Sequence, residues 1–190
     1  MTLWDLKAPV YQTARKIFPF NLILAKEVEN LRKLLAALDG TGATILDLGT
    51  GSGATLDLFP TSATVIALDS SIKMIHKISK RGKINCVVAD AQALPFKSGS
   101  INVAAAVGLC EYLDHQLVFM RELQRVVDSK GCFLLTYSQK NPLNYLRRLL
   151  GHRLFLLSAA EFSALVQKCG LVCTQTKRSL IQRQVLLQNA

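Results

Sequence analysis

The chain has 190 residues, of which 50% are hydrophobic and 19% are charged. This composition predicts a folded protein with a sizeable core and excludes an intrinsically disordered chain. No run of eighteen apolar residues occurs, and the first twenty residues carry charges among their apolar positions. We therefore expect neither a membrane span nor a signal peptide, and predict a cytoplasmic protein of one domain, residues 1–190.

Charge and cysteine content narrow the classes of partner. The net charge of +10 suits a nucleic acid, an anionic membrane surface or an acidic substrate, or serves solubility alone. No nucleic-acid motif accompanies this charge, so we expect no DNA partner and do not favour RNA. The five cysteines form no CxxC pair and no histidine stands at ligand spacing from them, so we predict reduced thiols and no metal site.

In chain order, the sequence alternates helical and strand-like segments. The amphipathic segment 20–38 predicts a helix. Continuous apolar and β-branched runs predict buried parallel strands at 44–49, 64–69, 84–90, 101–109 and 131–137. Segments between the strands predict helices at 53–59, 71–80 and 115–127. This alternation is typical of a doubly wound α/β sheet with helices on both faces.

The last quarter of the chain has a different pattern. A Pro/Asn break follows the fifth strand, and the basic and apolar stretch 145–157 comes next. Ser158 and Glu161 have the spacing of a capping box and predict a helix that stops at Gly170. Two strand-like runs close the sequence at 171–180 and 183–189.

The segment ILDLGTGSGATL, residues 45–56, ends an apolar strand with three alternating glycines. Together with Ala54 it satisfies the dinucleotide pattern GxGxxA, and Asp69 ends the next strand, so an NAD-dependent oxidoreductase is one interpretation. Asp47 argues against a pyrophosphate, because its carboxylate would oppose the phosphates at the helix N-terminus. S-adenosylmethionine has no phosphate and carries a sulfonium and an ammonium, so it suits both the glycines and the acid.

Three segments, in this order and at these intervals, resemble the class I S-adenosylmethionine-dependent methyltransferases, in particular the small-molecule branch with ubiquinone- and menaquinone-type enzymes. They are ILDLGTGSG, ALDSSIKMI and VVADAQALPFKSGSINV. The resemblance implies a Rossmann-like, mostly parallel seven-stranded sheet whose last strand is antiparallel. It also implies N-terminal lid and entry helices at 1–40, a cofactor-binding core at 43–137, a substrate-side insertion at 140–157 and a C-terminal helix and strand pair at 158–190.

The resemblance also implies a set of contacts with S-adenosylmethionine. Asp69 would hold the ribose, while Asp90, followed by Ala91, would meet the adenine amino group. Tyr11 resembles the aromatic residue of a lid over the cofactor, and simple packing of an N-terminal helix is an equal alternative. The expected cofactor-binding residues are Asp47, Gly49, Thr50, Gly51, Gly53, Asp69, Ser70, Met74, Asp90, Ala91, Val107 and Tyr11.

The sequence identifies no strong catalytic base. Methyl transfer is an in-line displacement at an activated carbon, so alignment of the reactants can suffice. Glu111 and His115 follow the fourth predicted strand and Tyr137 ends the fifth, which makes them candidates. Each has a structural alternative: helix capping for Glu111, a solvated first helical turn for His115 and core packing for Tyr137.

The stretch YLRRLLGHRLFLL, residues 145–157, alternates arginines with leucines. One interpretation is a peripheral helix on an anionic membrane; the favoured one is a lid whose apolar face covers the pocket and whose arginines are solvated. Both favour a small hydrophobic or amphiphilic acceptor, lipid- or quinone-like. A non-catalytic S-adenosylmethionine-binding partner protein remains the second alternative. The arginines concerned are Arg147, Arg148 and Arg153.

Overall fold

The computed structural model describes residues 20–38, 41–82, 84–149 and 153–190. Its centre is one seven-stranded sheet with the strand order β3-β2-β1-β4-β5-β7-β6. The strands are β1 (Thr44–Leu48), β2 (Thr64–Asp69), β3 (Asn85–Val88), β4 (Ile101–Ala106), β5 (Val127–Ser138), β6 (Leu171–Arg178) and β7 (Gln182–Asn189). Every neighbouring pair is parallel except those of β7, which runs antiparallel to β5 and β6. The prediction of a mostly parallel sheet with an antiparallel last strand is confirmed.

Helices cover both faces of this sheet. They are α1 (Phe20–Leu35), α2 (Ile72–Ser79), α3 (Gln116–Val126), α4 (Pro142–Leu149) and α5 (Ala159–Lys168). Side chains of α3 and α5 share one hydrophobic cluster with Leu46, whereas side chains of α1 and α2 share the other with Ile45. Successive residues of β1 thus enter opposite cores, as expected for a strand buried on both faces. Within the described ranges, no helix has the length and apolarity needed to cross a membrane.

The helix predicted at 53–59 is wrong, because the segment forms only a short 3-10 turn at Leu56–Leu58. Gly53 has a φ of 79°, so the chain is still turning at that residue. Phe59 is already extended, with a ψ of 150°, as is usual for a residue that precedes proline. Too few residues remain between these two constraints for an α-helix.

The strand predicted at 101–109 ends three residues early, at Ala106. The amide of Gly108 donates to the side-chain hydroxyl of Thr136 at 2.7 Å instead of to a strand backbone. The chain therefore leaves the sheet here and forms a short 3-10 turn at Cys110–Tyr112. The capping box of α5 is confirmed: Ser158 Oγ accepts from the amide of Glu161 at 3.2 Å, and Glu161 Oε2 accepts from the amide of Ser158 at 2.7 Å.

The basic stretch folds differently from the solvated-arginine prediction. In α4, Arg147 is only 9% exposed, whereas Leu149 is 84% exposed. Arg147 Nη1 donates to Asn144 Oδ1 at 2.7 Å and to Ser138 Oγ at 3.4 Å. The helix therefore presents a polar side to the end of β5, where buried polar groups need partners. Arg148 is exposed, as predicted.

Candidate functional site

A cavity of about 540 Å³ lies at the carboxyl ends of β1, β2, β3 and β4. Ligand sites typically have roughly 300–1,000 Å³, so the volume suits a small molecule. β2 and β4 flank β1 on opposite sides, which makes this the switch point where open α/β sheets bind ligands. Its lining includes Gly49, Thr50, Gly51, Asp69, Ser70, Met74, Asp90, Ala91 and Val107 from the expected cofactor residues, and Leu24, Glu27, Val28 and Leu31 from α1.

The glycine loop has one residue that faces the cavity and one that supports the loop. Gly51 has a φ of 53° and lines the cavity, and a Cβ on it would find no atom nearer than Gly49 O at 3.8 Å. A side chain there would project into open cavity space. Gly53 does not line the cavity, and a Cβ on it would lie 2.5 Å from Ile78 Cδ1 of α2. Gly53 is therefore required for packing of the loop against the helix.

Asp69, the last residue of β2, is positioned by backbone amides. Its Oδ2 accepts from the amide of Gly51 at 2.9 Å, and its Oδ1 accepts from the amide of Ser71 at 2.8 Å. An ionised carboxylate has about four lone-pair sites, so acceptor capacity remains for a ligand in the cavity. The arrangement fixes the glycine loop and the start of α2 to one side chain.

The segment that follows β3 contributes Asp90 and Ala91 to the lining. Asp90 is exposed, and its Oδ1 accepts from the amide of Gln92 at 2.9 Å, which closes a short turn. Met74 lines the cavity from α2, where its amide donates to the N-cap Ser71 Oγ at 3.3 Å. The ends of β1, β2 and β3 thus form one continuous wall.

Asp47 lies beneath this wall and is not part of the lining. It is 1% exposed, and its Oδ2 accepts from Thr55 Oγ1 at 2.8 Å. Burial raises the pKa of Asp47 to about 6, and the neighbouring Asp69 adds to the increase while the Thr55 hydrogen bond opposes it. A negative charge at this position is therefore costly until a cation is nearby.

Glu111 lies in the 3-10 turn after β4, and it does not cap a helix. It is 1% exposed and does not line the cavity itself. Its Oε1 accepts from Gln182 Nε2 at 2.9 Å and from Ser138 Oγ at 3.2 Å. Glu111 thus lies outside the lining and hydrogen-bonds to a lining residue, Gln182.

The other two catalytic candidates lie outside the cavity lining as well. His115 is the N-cap residue of α3, with a side chain that is 73% exposed and 3.9 Å from Asp114. Tyr137 is buried and stacks on Phe162 with ring centroids 4.0 Å apart. His115 is thus solvated and Tyr137 packs in the core, which are the structural alternatives given for them above. Tyr11 lies outside the described residues.

The lining contains residues that were not among the expected site residues, notably those of α1 and Gln182, the first residue of β7. Gln182 pairs with Ser138 in the antiparallel ladder, which brings the start of β7 to the edge where β5 ends. An antiparallel last strand always has this consequence, so the expected topology already contained the signal. The apolar face of the helix predicted at 20–38 contained the signal for the contribution of α1.

Comparisons with known proteins identify the domain. Residues 46–135 match the family model of the methyltransferase domain. The malonyl-[acyl-carrier protein] O-methyltransferase of Legionella pneumophila is 32% identical in an alignment of 99 residues that covers 48% of this chain and 35% of that protein. The matched region thus spans about a third of this curated relative.

Solved structures show the same fold. Magnesium protoporphyrin IX methyltransferase from Synechocystis, with S-adenosylhomocysteine bound, superimposes with a TM-score of 0.79 at 15% identity, covering 98% of this chain and 97% of that one. An S-adenosylmethionine-dependent methyltransferase from Aquifex aeolicus gives 0.70 at 18% identity, covering 93% and 96%. The ubiquinone-type branch is not singled out by these matches. Residues 46–135 thus match a methyltransferase domain, and the chain shares its fold with these S-adenosylmethionine-dependent methyltransferases.

Proposed function

We propose that the protein transfers the methyl group of S-adenosylmethionine to a small hydrophobic or amphiphilic acceptor. The observation that carries the proposal is the hydrogen bond between Asp69 and the Gly51 amide beside an open cavity. The site fits the cofactor, because Gly51 leaves free the space that a Cβ would fill, and Asp69 keeps acceptor capacity for ribose hydroxyls.

The remaining expected residues take roles that follow from their places. Asp90 offers an exposed carboxylate to the adenine amino group, next to Ala91, and Met74 also lines the cavity. Asp47, beneath the glycine loop, supplies negative potential that favours a cationic ligand. These residues bind and orient the cofactor, while Gly53 holds the loop against α2.

When bound, S-adenosylmethionine supplies a methyl carbon activated by a cationic sulfur. An acceptor lone pair would take this methyl group, with S-adenosylhomocysteine and a proton as the other products. The protein's task is to exclude water and align the two reactants. α1 covers the cavity with Leu24, Val28 and Leu31, which suits this task.

The acceptor class follows from the half of the cavity that lies over β4. Leu109 and Leu113, which follow β4, line this half, and Leu24 and Leu31 of α1 also line the cavity, so leucines supply much of its wall. Apolar walls favour an acceptor with a hydrophobic part over a sugar or a nucleotide. A lipid- or quinone-like acceptor has such a hydrophobic part.

Peripheral contact with an anionic membrane is a second proposal for residues 145–157. Tyr145, Leu146 and Leu149 are exposed on α4, next to the exposed Arg148, in a chain of net charge +10. Exposed leucines beside arginines suit a membrane surface. Sedimentation with vesicles of phosphatidylglycerol, compared with phosphatidylcholine, tests it; equal partition to both would contradict it.

The test of the proposed function uses S-adenosylmethionine with a labelled methyl group and an extract of the host organism. We expect label to enter the lipid, quinone or other small-molecule fraction with wild-type protein and not with Gly51→Val. Label confined to the RNA fraction would contradict the acceptor class. Tight S-adenosylhomocysteine binding without transfer to any fraction would support the non-catalytic partner protein instead.

A further inference from the structure

A hydrogen-bonded polar pair, Gln182 and Glu111, lies on the side of the cavity away from most of the expected cofactor contacts. Gln182 begins β7 and lines the cavity, although only 6% of its surface is exposed. Its amide lies beside the carboxyl end of β4, since a Cβ on Gly108 would be 3.9 Å from Gln182 Nε2. The expected cofactor contacts lie mainly over β1, β2 and β3, so Gln182 belongs to the acceptor half.

The orientation of the Gln182 amide is fixed by chemistry. Its Nε2 donates to Glu111 Oε1 at 2.9 Å. A carboxylate only accepts hydrogen bonds, so the NH2 group must face Glu111 and the amide oxygen must face away from it. Among the described residues, none donates a hydrogen bond to Gln182 Oε1. A nearly buried acceptor without a donor requires one from water or a ligand.

Glu111 is held in place from behind. Ser138 Oγ donates to its Oε1 at 3.2 Å and accepts from the buried Arg147 at 3.4 Å. Its second oxygen, Oε2, is buried and has no partner among the described residues. The result is a carboxylate one side chain away from the cavity, with no exposure that would let water screen it.

We propose that Gln182 is an acceptor-binding residue, positioned by Glu111, and that the pair selects acceptors whose reacting group donates a hydrogen bond. Gln182 Oε1 accepts the O–H or N–H of the acceptor and places its lone pair toward the methyl carbon. The Glu111 charge disfavours an acceptor that presents a carboxylate. The proposal rests on the proposed function and names the chemistry of the acceptor within it.

The test measures binding of two probes with the same apolar tail, para-butylphenol and para-butylbenzoate, by calorimetry on protein saturated with S-adenosylhomocysteine. We expect wild-type protein to bind the phenol about tenfold more tightly than the benzoate. Gln182→Met has a similar shape but no acceptor oxygen, and should weaken phenol binding about 3- to 10-fold. Gln188→Met, on the exposed part of the same strand, is the matched control and should change neither affinity.

Glu111→Gln tests positioning separately from packing, because it keeps the side-chain shape and removes the charge. The affinity for the benzoate should rise and that for the phenol should fall, a result that mere destabilisation would not produce. Benzoate binding as tight as phenol binding in wild type, a phenol preference unchanged in Gln182→Met, or binding of neither probe would overturn the proposal. A first titration with S-adenosylhomocysteine separates the two failures: if it does not bind, the proposed function is wrong, whereas its normal binding without a phenol preference refutes only the selection by Gln182.

Discussion

Asp69 Oδ2 accepts a hydrogen bond from the Gly51 amide at 2.9 Å, which ties the end of β2 to the glycine loop after β1. The same carboxylate accepts from the Ser71 amide and thereby positions the start of α2. One side chain thus organises the loop, the helix and the cavity wall between them. Variants at these positions should affect ligand binding far more than folding.

Gly51→Val should abolish binding of S-adenosylmethionine, because its side chain fills cavity space that is open in the wild type. Gly99→Val is the matched control, since Gly99 has a similar φ of 65° and also has free space for a side chain, but lies outside the cavity lining. Circular dichroism should show a retained fold for both variants. Calorimetric titration should show lost binding for Gly51→Val only. Equal affinity in both variants would refute the assignment of the loop.

Asp69→Ala should weaken S-adenosylmethionine binding by about 1.5–3 kcal/mol or more, the range for hydrogen bonds to a charged group. It also frees the Gly51 amide, so the loop loses its anchor. Asp128→Ala serves for comparison, because Asp128 likewise accepts from the amide two residues on but lies outside the cavity. An unchanged dissociation constant for Asp69→Ala would show that this carboxylate does not contact the ligand.

Asp47 should make stability depend on pH. Its pKa rises from the ordinary 3.8 to about 6 through burial, so the folded state holds the proton more tightly than the unfolded chain. The resulting contribution of Asp47 to the free energy of unfolding is fully present below pH 3.8 and is lost as pH rises through 6. The free energy of unfolding of Asp47→Asn, relative to that of wild type, should therefore increase by up to about 3 kcal/mol as the pH rises from 4 to 7.

Urea unfolding at both pH values measures this gain, and Asp114→Asn, at an exposed carboxyl, should show none. S-adenosylmethionine should bind more tightly to wild type as pH rises through about 6, because a cation favours the ionised form of Asp47. A stability difference that does not change between the two pH values would mean that Asp47 titrates as a solvated acid.

Arg147→Met should destabilise the protein by about 2–4 kcal/mol, since it removes the cation from a buried polar network. Asn144 Oδ1 would lose a partner at 2.7 Å, and the group of Ser138 and Glu111 would lose its positive charge. Arg148→Met, on the next and exposed residue, should stay within about 0.5 kcal/mol of wild type. Similar unfolding midpoints for the two variants would contradict the burial of Arg147.

Hydrophobic patterns and helix-capping motifs in the sequence predicted the fold well. The five apolar runs became parallel strands, and the Ser158 and Glu161 spacing became the capping box of α5. The helix predicted at 53–59 failed because Gly53 and Pro60 restrict the backbone more strongly than the apolar spacing favours a helix. Local conformational limits overrode periodicity there.

The candidate site was predictable where it depends on strand ends, as for Asp69 and Asp90. It was not predictable where it depends on side chains that meet through the topology. Gln182 and Glu111 are 71 positions apart and meet only because β7 runs antiparallel beside β5. Burial of Arg147 had the same origin, since its partner Ser138 belongs to another element.

The central claim is that the cavity at the ends of β1 and β2 binds S-adenosylmethionine rather than a dinucleotide. The most direct measurement is a pair of calorimetric titrations of the wild-type protein, one with S-adenosylmethionine and one with NAD. We expect saturable binding of S-adenosylmethionine, lost in Gly51→Val, and no heat of binding with NAD. Saturable binding of NAD, with none for S-adenosylmethionine, would contradict the account.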